Sequence, residues 1–264
     1  MWFKKELPKD LSRVERDKLQ AYVGYSHSDM NLSGQYSNAV DILVNQIIEK
    51  KQQVNLIAHP LLYLMRHSIE LAFKENIRYL DKYSGLGLDG IKTHSIDELF
   101  EKFEKHYNKI ANDLNFKEEL KDEYEEYAKD LRVLIQKLGT DWSSFRYIYS
   151  TRGDRVFDPS EIIDIYELKG KYDKSRIFLT HTADVISPFT DFVDYTKVDS
   201  SIESKSFGRV LFCFSEDEKD WLIETMNEKY KIVEEGKIWF DEEEGNNLHL
   251  KIANQKCYII PMKR

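Results

Sequence analysis

PLLYLMRHSIELAFKENIRY, residues 60–79, is the segment around which we expect the chain to fold. Apolar side chains cover most of the surface of a helix built from it, and the polar side chains fall together on the rest. At about 100° per residue these polar side chains share an arc of roughly 100°. They are Tyr63, Arg66, His67, Glu70 and Lys74, and we call them the polar stripe. The pattern predicts a core helix that carries charge along one side.

The polar stripe has two interpretations, because a buried charge is costly unless it is paired. In the first, the stripe faces solvent, and Glu70 pairs weakly with Arg66 and Lys74 at a spacing of four residues. In the second, it forms a half-buried network in which Arg66 and His67 recognise an anion and Glu70 orients them. Such a network serves either a ligand or only the packing of the helices. The sequence leaves these alternatives open.

The composition is that of an ordinary folded protein, with 41% apolar and 33% charged residues. A chain of 264 residues is long enough for a medium-sized domain and a smaller one. The net charge of −8 argues against broad coating of nucleic acid, which draws its affinity from many Lys and Arg contacts to phosphates. A local basic site remains compatible with this charge.

Localisation and cofactors are inferred from what the sequence lacks. Residues 1–11 have no apolar core of a signal peptide, and no apolar run approaches the length of a membrane span. Cys213 and Cys257 lie far apart, outside any metal-type spacing, and we interpret them as reduced cysteines. Nucleophile-elbow, phosphate-loop, paired zinc and dinucleotide motifs are also missing. We therefore expect a cytoplasmic protein with no membrane partner, metal or cofactor.

Apolar residues at helical spacing predict five long helices, at 35–51, 60–82, 95–111, 117–138 and 171–195. Pro60 suits the first turn of the second helix. Ser95 and Glu98 have the spacing of a capping box at the start of the third. Pro188 is expected to kink the last helix.

A small hairpin is predicted between the fourth and fifth helices. Phe145 and Tyr147 alternate with Arg146, and a turn at 152–154 follows. On a strand, Arg146 would face away from both aromatic neighbours and reach toward Glu70 or Asp141. An ordinary arginine at a strand edge fits the sequence equally well.

The chain changes character after residues 199–206, a short serine-rich segment that we interpret as a linker. Beyond it we expect a strand at 210–214, a helix at 217–229 with Trp221, Leu222 and Met226 facing inward, and three strands around Tyr230, Leu248 and Tyr258. We divide the chain into an N-terminal segment (1–34), a helical domain (35–199) and a small α+β domain (207–264). The predicted fold class is mainly α, a helical bundle with a small inserted hairpin and a C-terminal α+β appendage.

Three local signatures give the helical domain a family resemblance. They are Arg66-His67-Ser68-Ile69-Glu70-Leu71 followed by Lys74, then Thr93-His94-Ser95-Ile96, and then Phe145-Arg146-Tyr147. In this order and spacing they resemble the HEPN family of four- to five-helix domains, over about residues 35–199. The resemblance implies an all-helical bundle that commonly forms homodimers and, in its active members, cuts RNA without a metal.

The hallmark of active HEPN-like members is an Arg followed four to six residues later by a His, and this chain has such a pair in Arg176 and His181. About one such pair is expected by chance, so its place on the last predicted helix is what singles it out. Ile177 departs from the polar residue usual after the Arg. Five residues also turn the two side chains about 140° apart on a straight helix. A nuclease site therefore requires a twofold partner.

The resemblance implies two alternative functions. The first is an endoribonuclease of microbial defence or stress response, with His181 as the base at a ribose 2′-hydroxyl and Arg176 on the phosphate. The second is a non-catalytic module that binds a nucleotide-like anion or a protein partner. Its candidate ligand-binding residues are Arg66, His67, Glu70, Lys74 and Arg146.

Overall fold

A computed structural model describes most of the chain beyond its first seventeen residues. The described residues are 18–21, 23, 24, 26–139, 145–147, 149, 153–158, 160, 162–198, 212–253 and 255–262, with the side chains of 192–198, 212–214 and 253 left out. Most of the N-terminal segment, the linker at 199–206, Asp141 and much of the predicted hairpin lie outside them.

Five long helices form the first part of the fold, as the apolar spacing predicts. They are α1 (Asp29–Ile48), α2 (Val54–Ser84), α3 (Ile96–Asp113), α4 (Lys121–Leu138) and α5 (Ile165–Val198). Helix α2 contacts α1, α3 and α5, and α4 packs on α5. One apolar core joins all five helices. The mainly α bundle is thus confirmed, with residues 60–79 at its centre.

Helix α2 begins earlier than its sequence suggests. It starts at Val54, so Pro60 lies inside the helix and not in its first turn. Proline lacks an amide hydrogen and removes one hydrogen bond of the helix ladder. The burial of Leu61, Leu62 and Met65 just beyond it explains why the helix nevertheless continues through this position.

The ends of the helices follow the local sequence. The Ser95 hydroxyl accepts a hydrogen bond from the Glu98 amide at 3.3 Å and caps α3, as predicted. Gly85 ends α2 with a φ of +64°, a left-handed conformation that glycine adopts without strain. Helix α5 begins six residues before the predicted start and runs on past Pro188.

The Phe145-Arg146-Tyr147 tripeptide begins as a turn, not as the predicted strand. Phe145 has a φ of +67° and is buried against Phe157, with the ring centroids 4.7 Å apart. In the described part of this region, an isolated antiparallel bridge between Tyr149 and Arg155 is what marks the hairpin. The alternation of side chains therefore does not decide where Arg146 points.

The C-terminal part is an α+β unit with its own apolar core. Its five strands form one antiparallel sheet in the order β1-β5-β4-β3-β2. The strands are β1 (Phe212–Ser215), β2 (Lys231–Glu234), β3 (Ile238–Asp241), β4 (Asn246–Ala253) and β5 (Lys256–Met262). The sequence pattern predicts three strands after the helix, whereas four follow it. The additional strand is β3, which carries the buried Trp239.

Helix α6 (Lys219–Lys229) covers this core with Leu222 and Met226, as predicted. Trp221 was expected inside but is 55% exposed, so that part of the prediction is wrong. Trp239 takes the interior position, and its indole Nε1 donates a hydrogen bond to Asn227 Oδ1 at 2.7 Å. Among the described residues, no helix combines the length and the apolar character that a bilayer crossing requires.

Candidate functional site

The polar stripe lies inside the bundle at its centre. The side chains of Arg66 and Glu70 are only 2% and 4% exposed, whereas those of Lys74 and His67 remain partly accessible. Of the two interpretations that the sequence left open, the structure shows the half-buried network. A solvated face would leave Glu70 accessible to water.

Glu70 is the anion around which the network is organised. Its Oε1 is 2.8 Å from Lys74 Nζ and 2.8 Å from His94 Nδ1. Its Oε2 lies 3.6 Å from both Arg66 Nη1 and His67 Nδ1. We call Arg66, His67, Glu70, Lys74 and His94 the polar cluster. Because Arg66 and Lys74 carry permanent charge at neutral pH, the cluster is positive overall even with both imidazoles neutral.

The surroundings of Glu70 keep it ionised. Burial alone would raise the pKa of its carboxyl group, but interactions with His67, Lys74 and His94 outweigh burial and lower the pKa to about 2. The carboxylate is therefore charged at every physiological pH. A carboxylate held in this state orients its cationic neighbours and does not act as a general acid.

Arg66 has a different position from the one expected of an anion-binding residue. Its side chain is buried, and Nη2 donates a hydrogen bond of 2.7 Å to the backbone oxygen of His94. Arg66 thus ties the start of α3 to the middle of α2. The members of the cluster that reach the surface are His94, which is exposed, and His67 and Lys74, which are partly exposed.

Aromatic rings continue the polar cluster toward the surface. Tyr63 stacks on His67 at a centroid distance of 5.6 Å, and Tyr36 of α1 meets the same imidazole edge-on at 4.7 Å. The Arg146 guanidinium lies 5.6 Å from the centroid of Tyr63. Arg146 therefore contacts the polar stripe at Tyr63. The other predicted partner, Asp141, lies outside the described residues. His94 and Tyr36 are not among the predicted site residues; the capping signal at Ser95 places His94 at the start of α3 but does not indicate its contact with Glu70.

The second candidate pair lies on α5. Arg176 and His181 line one groove between α1 and α5, with a volume of about 330 Å³. Ser33 and Ser37 of α1 also line this groove. The two side chains of α5 therefore face a common space, although a straight helix turns them far apart.

Arg176 belongs to a small ion-pair network with two carboxylates and one lysine. Its Nη1 is 3.4 Å from Asp41 Oδ2, and its Nη2 is 3.8 Å from Asp173 Oδ1. Lys169 Nζ is closer to both carboxylates, at 2.9 Å from Asp41 and 2.6 Å from Asp173. One ammonium offsets only one of the two carboxylates, so Arg176 offsets the other, although it is their more distant partner. A phosphate in the groove would compete with Asp41 and Asp173 for its guanidinium.

His181 has the geometry of an oriented imidazole. It is 59% exposed, and its Nδ1 lies 2.9 Å from Asp184 Oδ2. Since an ionised carboxylate only accepts hydrogen bonds, Nδ1 is the donor and the neutral ring presents Nε2 as its base. Asp184 was not predicted from the sequence, although it follows His181 by the three residues that bring helical side chains together.

Within the described residues, no group of three or more His, Cys, Asp and Glu side chains is arranged to hold a metal ion. Three comparisons with known proteins, against family models, curated proteins and solved structures, each find no match for this chain.

Proposed function

We propose that this protein is a HEPN-like endoribonuclease that cuts RNA at the groove between α1 and α5 without a metal. The observation that supports it best is that Arg176 and His181 line the same groove. The two groups are those that phosphodiester cleavage by a ribose 2′-hydroxyl requires: a base for the hydroxyl proton and a cation for the phosphate. The proposed setting is the cytoplasm of a microbe, in defence or stress response.

The reaction assigns one role to each side chain. His181 Nε2 removes the 2′-hydroxyl proton while Asp184 holds the ring at Nδ1. The 2′-oxygen attacks phosphorus, the bond to the 5′-oxygen breaks, and that oxygen leaves with a proton from water. Arg176 stabilises the negative charge that grows on the phosphate oxygens. The products are a 2′,3′-cyclic phosphate and a 5′-hydroxyl end.

A homodimer is part of the proposal. The family resemblance implies that two Arg–His pairs meet across a twofold axis. In each copy of this chain the groove between α1 and α5 already contains one Arg–His pair. A second copy would therefore add a second pair beside the first. RNA is the proposed substrate because its 2′-hydroxyl is the nucleophile of this reaction.

Purified protein incubated with total RNA and tRNA tests the proposal. We expect cleavage by the wild-type chain and none by an Arg176→Ala, His181→Ala double variant. Arg78→Ala is the control, because it removes an exposed Arg from α2 that does not line the groove, and it should leave cleavage unchanged. Equal cleavage by wild type and double variant, or none by either, contradicts the proposal.

The polar cluster favours a second candidate function, the non-catalytic binding of a nucleotide-like anion or a protein partner. Its support is the net positive charge around Glu70, whose carboxylate stays ionised. In this function His67, Lys74, His94 and Arg146 face the ligand, while Arg66 and Glu70 hold them in place.

Calorimetric titration with inorganic phosphate and with a nucleoside monophosphate tests this second function. We expect Lys74→Ala to weaken binding and Lys82→Ala, which removes an exposed Lys from the same helix, to have no effect. Binding of neither anion, or equal losses in the two variants, contradicts the binding of a nucleotide-like anion at the polar cluster.

A further inference from the structure

His181 borders a second groove on its other side. This groove lies between α4 and α5, has a volume of about 150 Å³, and is lined by His181 together with Tyr124, Tyr127 and Phe178. Ile177 lines both grooves, as His181 does. These two residues therefore form the ridge between the groove that holds Arg176 and this one, which we call the aromatic groove.

The aromatic groove differs in chemistry from its neighbour. Tyr127 is stacked on Phe178 at a centroid distance of 5.4 Å with 9° between the planes, and Tyr107 is stacked on Tyr124 at 4.0 Å with 6°. All four rings line the groove. The Arg176 groove instead has a guanidinium, while the hydroxyls of its Ser33 and Ser37 are hydrogen-bonded inside the bundle. The aromatic groove suits a planar, weakly polar group.

Charge separates the two grooves further. Glu123 lines the aromatic groove and is exposed, so a phosphate placed there would meet a carboxylate. Arg176 lines the groove on the other side of the His181 ridge, and its carboxylate partners Asp41 and Asp173 are not among the residues that line that groove. A nucleotide that lies across the ridge would therefore have its phosphate beside Arg176 and its base beside the tyrosines.

The aromatic groove also exposes apolar surface that the bundle does not bury. Ile177 and Val185 line it and are about half exposed. Isolated exposed apolar residues are ordinary, but these two lie next to stacked rings in a concavity, beside His181, the proposed general base. Its volume is close to that of an enclosed cavity that holds one benzene ring, so one six-membered ring fits the groove.

We propose that the aromatic groove is the base subsite of a single-stranded RNA substrate and takes one pyrimidine next to the phosphate at Arg176. The inference rests on the proposed function, because it places the base relative to His181. Unpaired bases of RNA are commonly recognised by stacking on aromatic side chains, and a pyrimidine is one six-membered ring. The subsite would give the nuclease a preference for unpaired pyrimidines over purines and over duplex RNA.

Binding of RNA that cannot be cut tests the subsite separately from cleavage. Fluorescence anisotropy of the full chain would compare three oligomers of equal length with 2′-O-methyl riboses: one of uridine, one of adenosine and one of abasic residues. We expect the uridine oligomer to bind about tenfold more tightly than the abasic one, the size of a single stacking contact. The adenosine oligomer should bind more weakly than the uridine oligomer.

Val185→Glu is the test variant, because it places a charge in the groove at an exposed position and keeps a helix-forming residue. It should lower affinity for the uridine oligomer to that for the abasic one. Ile48→Glu, at an exposed position of α1, is the matched control and should bind like the wild type. Tyr127→Ala, read by the same assay after its fold is checked by circular dichroism, should also abolish the preference for uridine.

The outcomes separate the two proposals. Equal binding of uridine, adenosine and abasic oligomers, or equal affinities of Val185→Glu and Ile48→Glu, overturns the pyrimidine subsite. If in that case the wild type still cuts RNA and the Arg176→Ala, His181→Ala double variant does not, the proposed function survives. If the uridine preference and its loss in Val185→Glu are found but no RNA is cut, the subsite survives and the proposed function fails.

Discussion

His94 Nδ1 lies 2.8 Å from Oε1 of Glu70, although the two residues are 24 positions apart in the sequence. This contact, together with the hydrogen bond from Arg66 to the His94 backbone oxygen, fixes the start of α3 against α2. It makes the buried carboxylate the point at which two helices and several cations meet.

Glu70→Gln should destabilise the protein substantially. The substitution removes the one negative charge of the polar cluster and leaves the buried Arg66 without its anion. Breaking a buried ion pair in this way costs about 3 kcal/mol or more, which is a fall of several degrees in melting temperature. Calorimetry measures it. The control is Glu75→Gln, whose pair with the exposed Arg78 contributes less than about 1 kcal/mol; equal shifts in the two variants would contradict the buried network.

The stability of the wild-type chain should fall in acid through Glu70. Its folded-state pKa of about 2 is below the ordinary value of 4.5, so its contribution is complete above about pH 4.5 and is lost as the pH falls toward 2. The difference in pKa corresponds to about 3 kcal/mol. Urea unfolding of the wild type and Glu70→Gln between pH 5 and pH 2.5 should show their stabilities converging. A constant difference across this range would exclude this role for Glu70.

Tyr172→Phe should cost about 1 to 2 kcal/mol, because the Tyr172 hydroxyl is hydrogen-bonded to Ser37 and Ser68 in the interior between α1, α2 and α5. The variant leaves two buried serine hydroxyls with one partner fewer. Chemical unfolding measures the loss. Tyr166→Phe, at an exposed position on the same helix, should change stability by less than about 0.5 kcal/mol. A neutral effect of Tyr172→Phe would mean that water replaces the hydroxyl.

The two tryptophans of the C-terminal unit should differ sharply. Trp239 is fully buried, and replacing it with Ala should cost about 4 kcal/mol. Trp221 is more than half exposed, and Trp221→Ala should cost less than 1 kcal/mol, roughly the size of a surface change. Calorimetry of the full chain compares them. Similar losses from both would contradict the assignment of Trp239 to the core.

The sequence predicts the helices well where apolar spacing and capping act locally. Ser95 and Glu98 mark the start of α3 because a cap involves only neighbouring residues. Pro60 misled the prediction for α2, since burial further along the helix compensates for its missing hydrogen bond. The prediction for Trp221 is wrong because α6 is short and its inward face depends on the sheet beneath it.

The candidate site also has features that one helix determines and features that depend on several elements. The spacing of Arg66, Glu70 and Lys74 shows that they share a face, which is a property of one helix. The burial of that face depends on His94 and Tyr36, which belong to other elements, so periodicity could not predict it. The common groove of Arg176 and His181 likewise depends on α1, whose Ser33 and Ser37 line it.

The ends of the RNA fragments test the central claim most directly. We would incubate the protein with a single-stranded RNA in the presence of a metal chelator and determine the products by mass spectrometry. If His181 removes the proton of a 2′-hydroxyl, the wild type leaves 2′,3′-cyclic phosphate and 5′-hydroxyl ends, and His181→Ala leaves the RNA intact. Fragments with 5′-phosphate ends, or cleavage that persists in His181→Ala, would contradict the account.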